Sequence, residues 1–379
     1  MDASPGQYLI NTEGQILSSE PYSQIFDFQE GLALVKNYEK EESYFIDRTG
    51  KKVLSLKYAN ASSFSEGLAN VSFAGKDGFI SRLGDQIISC SYDEAGSFHC
   101  GWAMIYKKGL YNYIDKEEQV ISNTGFTKCF DFKNDFARVK YGRRIGMLSK
   151  KGDLNLINNK YQDLCDFSEG LAGVKINGKF GFINMEFILV IDAMYTEIRS
   201  FKNGIAAVSI KGKWGFINSK NETVIAFIYD EISDYQFSEG LCFVRQKNRI
   251  GVINLNGDTQ IPFVFDECQI TGCALYFFNN GLAYIALNNE LGQVNEDGYI
   301  VERKVISQKS SSSLIGYIDY HGKLKVPFRY RNAFAYNDRL APVYSFEGAG
   351  YVSSEDEVKI PLKFRQVNPF SDGCAIVTL

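Results

Sequence analysis

Apolar and polar positions alternate along Lys179-Phe180-Gly181-Phe182-Ile183-Asn184 and again along Lys213-Trp214-Gly215-Phe216-Ile217-Asn218, the pattern of a half-buried β-strand. The rest of the chain aligns on this core. Its central aromatic or apolar residue recurs at Leu9, Phe45, Phe79, Tyr113, Met147, Phe182, Phe216, Val252, Gln293, Tyr317 and Tyr351, mostly in steps of 34 to 36 residues. That period belongs to solenoids, propellers and arrays. A second landmark recurs in phase: Phe28-Gln-Glu-Gly31, Phe64-Ser-Glu-Gly67, Phe167-Ser-Glu-Gly170 and Phe237-Ser-Glu-Gly240.

Residues 170–204 show one unit. A strand from Leu171 to Ile176 meets Asn177-Gly178, a pair that tolerates positive φ at both turn positions. The strand Lys179 to Ile183 follows. A second turn opens on Asp, Asn or Ser in every copy (Asn11, Asp47, Ser81, Asn254, Asp319), and Gly usually stands three residues on (Gly14, Gly50, Gly84, Gly257, Gly322). That is a type I turn ending in a bulge; Glu118 and Phe187 depart from it. A third strand ends on an aromatic anchor such as Tyr92, Tyr195 or Tyr229, and a loop carries the Phe-x-x-Gly landmark to the next unit.

The predicted fold class is therefore all-β: tandem three-stranded antiparallel meanders of about 34 residues, about 11 copies. One meander buries too few large side chains to offset its backbone ordering, so units must stack. Eleven exceed the roughly 4–8 blades of an ordinary propeller. A curved open superhelix, or solenoid, is the expectation, with one or two β-propellers as the alternative. Residues 1–269 read as regular repeats, 270–315 as an irregular insert, and 316–379 as two further repeats closing the array.

The Lys-Trp-Gly-Phe-Ile-Asn and Phe-Ser-Glu-Gly-Leu-Ala motifs make the chain resemble the bacterial WG-repeat, or KWG-repeat, family over nearly its whole length. The resemblance implies an architecture and a binding module far more than an activity.

Composition agrees: Phe and Tyr number 29 and 23, and with 34 Gly this is a β composition. The net charge of −4 argues against a nucleic-acid partner, which wants a basic patch. No apolar run reaches the length of a membrane span. With no basic or apolar leader at Met1-Asp2-Ala3-Ser4-Pro5-Gly6, a cytoplasmic location is the default expectation. The eight Cys include no Cys-x-x-Cys pair, and Cys129, Cys242, Cys268 and Cys374 occupy slots held by Ala or Leu elsewhere, so they read as buried free thiols.

No catalytic constellation is found. His99 and His321, six units apart, read as turn residues, and Asp93-Glu94, Asp230-Glu231 and Asp266-Glu267 as backbone-capping pairs. No metal, cofactor or enzymatic role is expected. Trp102, Tyr106, Tyr111 and Tyr113 form the densest aromatic cluster. Alternation sets Trp102 and Met104 on one face and Tyr111 and Tyr113 on another, for core packing or for gripping a partner. With Arg303 and Lys304 of the irregular insert, these four are the candidate partner-binding residues. The expected function is a non-enzymatic scaffold whose partner is another protein, such as a toxin or effector in an intracellular immunity or defence system. A carbohydrate- or cell-wall-binding module is the alternative.

Overall fold

The computed structural model describes residues 6–18, 20–234, 236–266, 277–287, 290–294, 299–305 and 314–379. Every regular element among them is a β-strand. The chain divides into two compact units. One is Tyr22–Ala206 with Ser219–Asn221; the other is Met1–Pro21, Ala207–Asn218 and Glu222–Leu379.

Within the first of these, the repeat around Gly181 is a sheet of four strands in the order Asp163–Leu164, Leu171–Ile176, Lys179–Asn184, Leu189–Tyr195. The predicted three-stranded meander is thus one strand short. The added strand is two residues long, pairing Asp163 with Lys175 and Leu164 with Val174. Two residues cannot show a periodicity, which is why the sequence hides them.

The Phe-x-Glu-Gly landmark is a tight hairpin turn rather than a loop. The Ser65 N–H donates to Leu68 O at 2.9 Å and the Leu68 N–H returns to Ser65 O at 3.2 Å. Glu66 and Gly67 between them have φ of 54° and 85°, a type I′ turn. The second predicted turn forms as expected: Asn254 Oδ1 accepts the N–H groups of Asn256 and Asp258 at 3.0 and 2.9 Å, and Gly257 N–H donates to Asn254 O at 2.9 Å. Glu118 and Phe187, which lack the glycine, still hold φ of 62° and 61°.

The central glycine of the Trp-Gly-Phe core serves space, not conformation. A Cβ on Gly215 would stand 2.7 Å from Ile225 O and 3.0 Å from the Phe227 ring. Across this pair Trp214 faces Tyr229 while Phe216 faces Ile225, so the outer strand arches over the glycine. Tyr44 occupies the same place in its own sheet, and there Ser43, Tyr44 and Phe45 face Leu56, Ser55 and Leu54 in unbroken register.

The core lies between consecutive sheets. Leu34 and Phe45 of one pack with Phe64, Val71 and Ile80 of the next. Phe243 and Ile261 pack likewise with Phe278, Ile285 and Ile318. Each sheet leans on its neighbour, as the sequence requires.

The expectation of an open superhelix is corrected here. The strand Gln7–Asn11 pairs with Cys374–Thr378, from Gln7 opposite Thr378 to Asn11 opposite Cys374. An open array would keep its first and last strands apart, whereas a propeller completes one blade from both ends of the chain. Ten sheets of three or four strands form among the described residues, with one two-stranded ribbon of Glu290–Val294 and Ile300–Val305. That ribbon explains the eleventh copy counted at Gln293. It is inserted between Leu282–Leu287 and Leu314–Asp319, which pair directly in one sheet. The fold is a β-propeller, and the solenoid is set aside.

Candidate functional site

The most repeated polar residues are occupied in joining blade to blade. The Ser of the Phe-Ser-Glu-Gly turn donates its hydroxyl to the landmark Phe carbonyl of the next blade: Ser65 to Phe98 O at 2.6 Å, Ser168 to Phe201 O at 2.7 Å, Ser238 to Phe278 O at 2.7 Å. The Glu carboxylate accepts N–H groups of the next turn. Glu66 takes Gly101 N–H at 2.9 Å, and Glu239 takes Asn280 and Gly281 N–H at 2.9 and 3.1 Å. Under these clasps the landmark Phe packs on the core aromatic of the preceding blade. Phe79 and Phe98 lie 4.9 Å apart, and Phe182 and Phe201 5.0 Å. A further link joins the strand-ending Tyr to the left-handed turn residue of the next repeat: the Tyr195 hydroxyl donates to Asn221 Oδ1 at 2.5 Å and Tyr92 to Glu118 Oε1 at 2.7 Å. The sequence marks all of these positions but not their pairing, because partners lie 26 to 42 residues apart.

The aromatic cluster occupies the sheet of Glu94–His99, Trp102–Lys107 and Leu110–Ile114, which has no fourth strand. Its outer edge is partly covered by single bridges, Tyr111 to Phe126 and Ile114 to Val120. The two-face expectation fails: Met104 stands opposite Tyr113 and Tyr106 opposite Tyr111, so all share one face, since residues directly across a ladder point the same way. Tyr113 is buried and its hydroxyl donates to Phe130 O at 2.5 Å. Trp102 is half-buried, 6.1 Å from the Phe132 ring. Tyr106 and Tyr111 are half-exposed and form a tilted ring pair at 4.6 Å. Arg303 and Lys304 lie on the ribbon strand Ile300–Val305, across from Gly292 and Leu291.

The titratable residues are dispersed. His99 is exposed, 4.0 Å from Asp131, and His321 is exposed in a turn, donating its N–H to Asp319 at 2.9 Å. Asp93 and Asp230 do cap backbone: they accept Lys108 and Lys247 N–H at 3.1 and 2.8 Å. The ammonium of Lys213 on Asp230 holds that carboxyl below the ordinary range. Glu267 of the third acidic pair and Cys268 lie outside the described residues. Cys129, Cys242 and Cys374 are buried and Cys100 is exposed, and none of these four is in a disulfide. Burial pushes the Cys129 thiol up to about 12. Among the described residues no group of three or more His, Cys, Asp and Glu is placed to hold a metal ion, and no helix is long and apolar enough to cross a membrane.

Two clefts share one turn, which carries an arginine at a glycine position. One cleft of about 460 Å³ and one of about 700 Å³ both border Tyr336, Asp338 and Arg339. This is the landmark turn of its blade, with Asp338-Arg339 standing where Glu-Gly stands elsewhere. Arg339 has φ of 64°, against 79° for Gly240 and 80° for Gly373 in sister turns. A side chain in that region costs about 1–2 kcal/mol. The signal was in the sequence, as an arginine at a glycine position.

Comparison with solved structures supports the fold. A eukaryotic initiation factor matches at TM-score 0.50 with 9% identity, covering 96% of this chain and 98% of that chain. Kluyveromyces lactis Hsv2p matches at TM-score 0.34 (13% identity, 75% and 99% covered), and virginiamycin B lyase from Staphylococcus aureus at 0.28 (13% identity, 64% and 96% covered). Those two scores are too low to add to the assignment. No curated protein matches the sequence. Ten segments match the WG containing repeat: residues 9–40, 45–76, 78–111, 113–143, 146–180, 180–214, 214–249, 250–290, 315–344 and 350–379. Spanning most of the chain, they make this protein a member of the WG containing repeat family.

Proposed function

We propose that the protein is a non-enzymatic scaffold that binds another protein through the three-stranded sheet bearing Tyr106 and Tyr111. One observation carries this reading. The sheet ends on Leu110–Ile114 with no regular fourth strand beyond it, and near that edge it presents two half-exposed tyrosines in contact. Tyrosines on a rigid strand supply large contact area at low conformational cost, and aromatic anchors dominate protein interfaces. The inter-blade clasps, by contrast, are already satisfied within the fold and have nothing to offer a ligand. The partner we propose is a toxin or effector protein of the same cell. The mild net charge of −4 favours a protein over a nucleic acid.

The test is capture from the native host by the intact chain and by a Tyr106→Ala/Tyr111→Ala variant, with both unfolding midpoints measured. The reading expects a protein retained at physiological salt by the first and lost by the second, at little cost in stability. Equal retention by both removes this surface from the account, and retention of nothing by the intact chain removes the scaffold reading.

The same tyrosine pair supports a second reading, a carbohydrate-binding module, because ring faces also stack on sugars. Glycan-array binding that is lost in the same variant would select it.

A further inference from the structure

We infer that the hairpin of Lys140 to Arg144, which adjoins the tyrosine pair, receives an acidic segment of the protein partner. The inference rests on the protein-binding reading and names the partner's chemistry. Three observations converge.

The first is a missing counter-charge. The short strand Lys128–Cys129 pairs with Phe136–Tyr141, and Lys128 stands directly opposite Lys140. Like charges directly opposite destabilise a ladder. Where sister sheets carry a cation in the place of Lys140, an acid or an amide faces it: Asp163 opposite Lys175, Glu231 opposite Arg245, Gln24 opposite Lys36. Glu231 and Arg245 close to 2.6 Å.

The second is the same loss one strand on. Lys76 and Lys213 open the strand after the hairpin in their sheets and are ion-paired with Asp93 and Asp230. Those aspartates also accept a backbone N–H of the next hairpin, from Lys108 and Lys247. Arg144 opens the strand Arg144–Ser149 in the same way, but Gln162 holds the aspartate's place and accepts the Gly178 N–H at 3.0 Å. The backbone bond is kept and the charge is gone. Lys128, Lys140, Arg143 and Arg144 are all exposed and make no ion pair among the described residues; the Lys128 ammonium lies 4.8 Å over the Phe130 ring. Two separate exchanges have thus removed the carboxylates that the repeat supplies elsewhere. A departure that breaks a local rule without a compensating contact points to function.

The third is the surroundings. Residues 102–110, 126–130, 136–149 and 171–179 contain no acid, and the flanking hairpins add Lys107 and Lys108 on one side and Lys179 on the other. The acids close by face elsewhere. Asp163 is opposite Lys175, Asp93 is on Lys76, Asp131 is 4.0 Å from His99, and Glu94 is on the far edge of its sheet, opposite Tyr106. Tyr111 packs against Phe126, Cys129 and Val139, so the tyrosine surface runs into this hairpin, whose Tyr141 is 47% exposed. The tip is held in place: the Thr127 hydroxyl donates to Lys140 O at 3.1 Å and to Gly142 O at 3.3 Å. Packed sheets stand about 10 Å apart, so cations of neighbouring hairpins form a row and do not converge on one point. A row fits several carboxylates spaced along an extended peptide, which arginine forks take bidentately. A flat anionic membrane fits less well, because the corresponding hairpin of the first blade in the same unit exposes Glu39, Glu41 and Glu42.

The test measures binding of a labelled, blocked Gly-Asp-Glu-Asp-Glu-Gly peptide and its Gly-Asn-Gln-Asn-Gln-Gly counterpart to the full chain at physiological salt. The acidic peptide should bind at least tenfold more tightly. Lys128→Glu and Gln162→Asp each restore the residue type of a sister sheet. They should weaken the acidic peptide at least tenfold and at least threefold, with the unfolding midpoint held or raised. Lys151→Glu makes the same charge change as Lys128→Glu in the turn at the other end of the Arg144–Ser149 strand, and should stay within twofold of the parent. Equal binding of the two peptides overturns the inference, as does undiminished binding in both restored variants, an equal loss in Lys151→Glu, or a lowered midpoint in both restored variants. Tighter binding of a phosphatidylserine vesicle or of a single-stranded oligonucleotide of equal charge, lost in Lys128→Glu, assigns the hairpin to another polyanion and overturns it too. A host protein captured undiminished by Lys128→Glu sinks this inference and leaves the scaffold reading standing. Capture of nothing by the intact chain, with the acidic peptide bound through Lys128, sinks the scaffold reading and leaves the site.

Discussion

The Glu169 carboxylate accepts the Gly204 backbone N–H at 2.8 Å, from one landmark turn to the next. Its second oxygen takes the Asn203 N–H, also at 2.8 Å. Two charge-assisted bonds thus leave a residue that itself holds φ of 50°. Glu169→Ala should lower unfolding stability by about 1–2 kcal/mol, measured by urea denaturation, since bonds to a charged group exceed neutral ones even when exposed. Glu169→Gln keeps one acceptor and should fall between the two.

Gly215→Ala tests the spatial reading of the Trp-Gly-Phe core. The new methyl meets Ile225 O at 2.7 Å, so the outer strand must move, at a cost of about 1–3 kcal/mol. The same change at Gly240, where a Cβ would find open space but φ is 79°, should cost about 1–2 kcal/mol for conformation alone. Hydrogen exchange separates the two: only the first should speed exchange in Thr223–Tyr229.

Asn221→Gly removes the acceptor of the Tyr195 hydroxyl while keeping the φ of 64° accessible. The expected loss is about 1 kcal/mol by thermal or chemical denaturation. In a Tyr195→Phe background the same change should cost close to nothing.

The Asp230 carboxyl titrates below its ordinary 3.8, first because Lys213 bonds it and then because of the Lys247 N–H. A depressed acid contributes stability that is present above its unfolded value and is lost as pH falls through the folded one. Asp230→Asn should therefore be less stable than the parent at pH 7, and the two urea midpoints should converge below pH 3.8. For Cys129 the sign is opposite. Its thiol is raised to about 12, so its contribution is full below the ordinary 9.0 and fades as pH rises toward 12. At pH 8 a thiol reagent should label the exposed Cys100 at once and Cys129 only on unfolding.

The blade was largely legible, since Asn177-Gly178, Asn254 through Gly257, and the Trp214 strand all fold as their residue types dictate. Three things were not. The two-residue strand Asp163–Leu164 is too short for a period. The ribbon at Gln293 carries the same Gly-x core as a blade strand, so it inflated the copy number and with it the case for an open array. The aromatic face was misassigned because alternation fixes faces within one strand. Whether Trp102 and Tyr113 share a face depends on register across the Lys107–Leu110 hairpin. Of the site, Tyr106 and Tyr111 stood out by density. Arg339 did not, because a residue in a glycine slot is visible only once the slot is known to demand positive φ.

The propeller account is tested most directly where the two ends of the chain meet. Leu9 O accepts the Leu17 N–H at 2.8 Å, so its polar groups face away from Cys374–Thr378. Gln7, two residues earlier and opposite Thr378, shares that orientation and forms a close, non-hydrogen-bonded pair suited to a disulfide. The measurement is intramolecular cross-linking of a Gln7→Cys/Thr378→Cys variant under mild oxidation, beside each single variant. A propeller predicts a monomeric, reductant-sensitive species of faster migration in the double variant alone. Its absence, with both thiols still free in folded protein, would contradict the fold and everything argued from it.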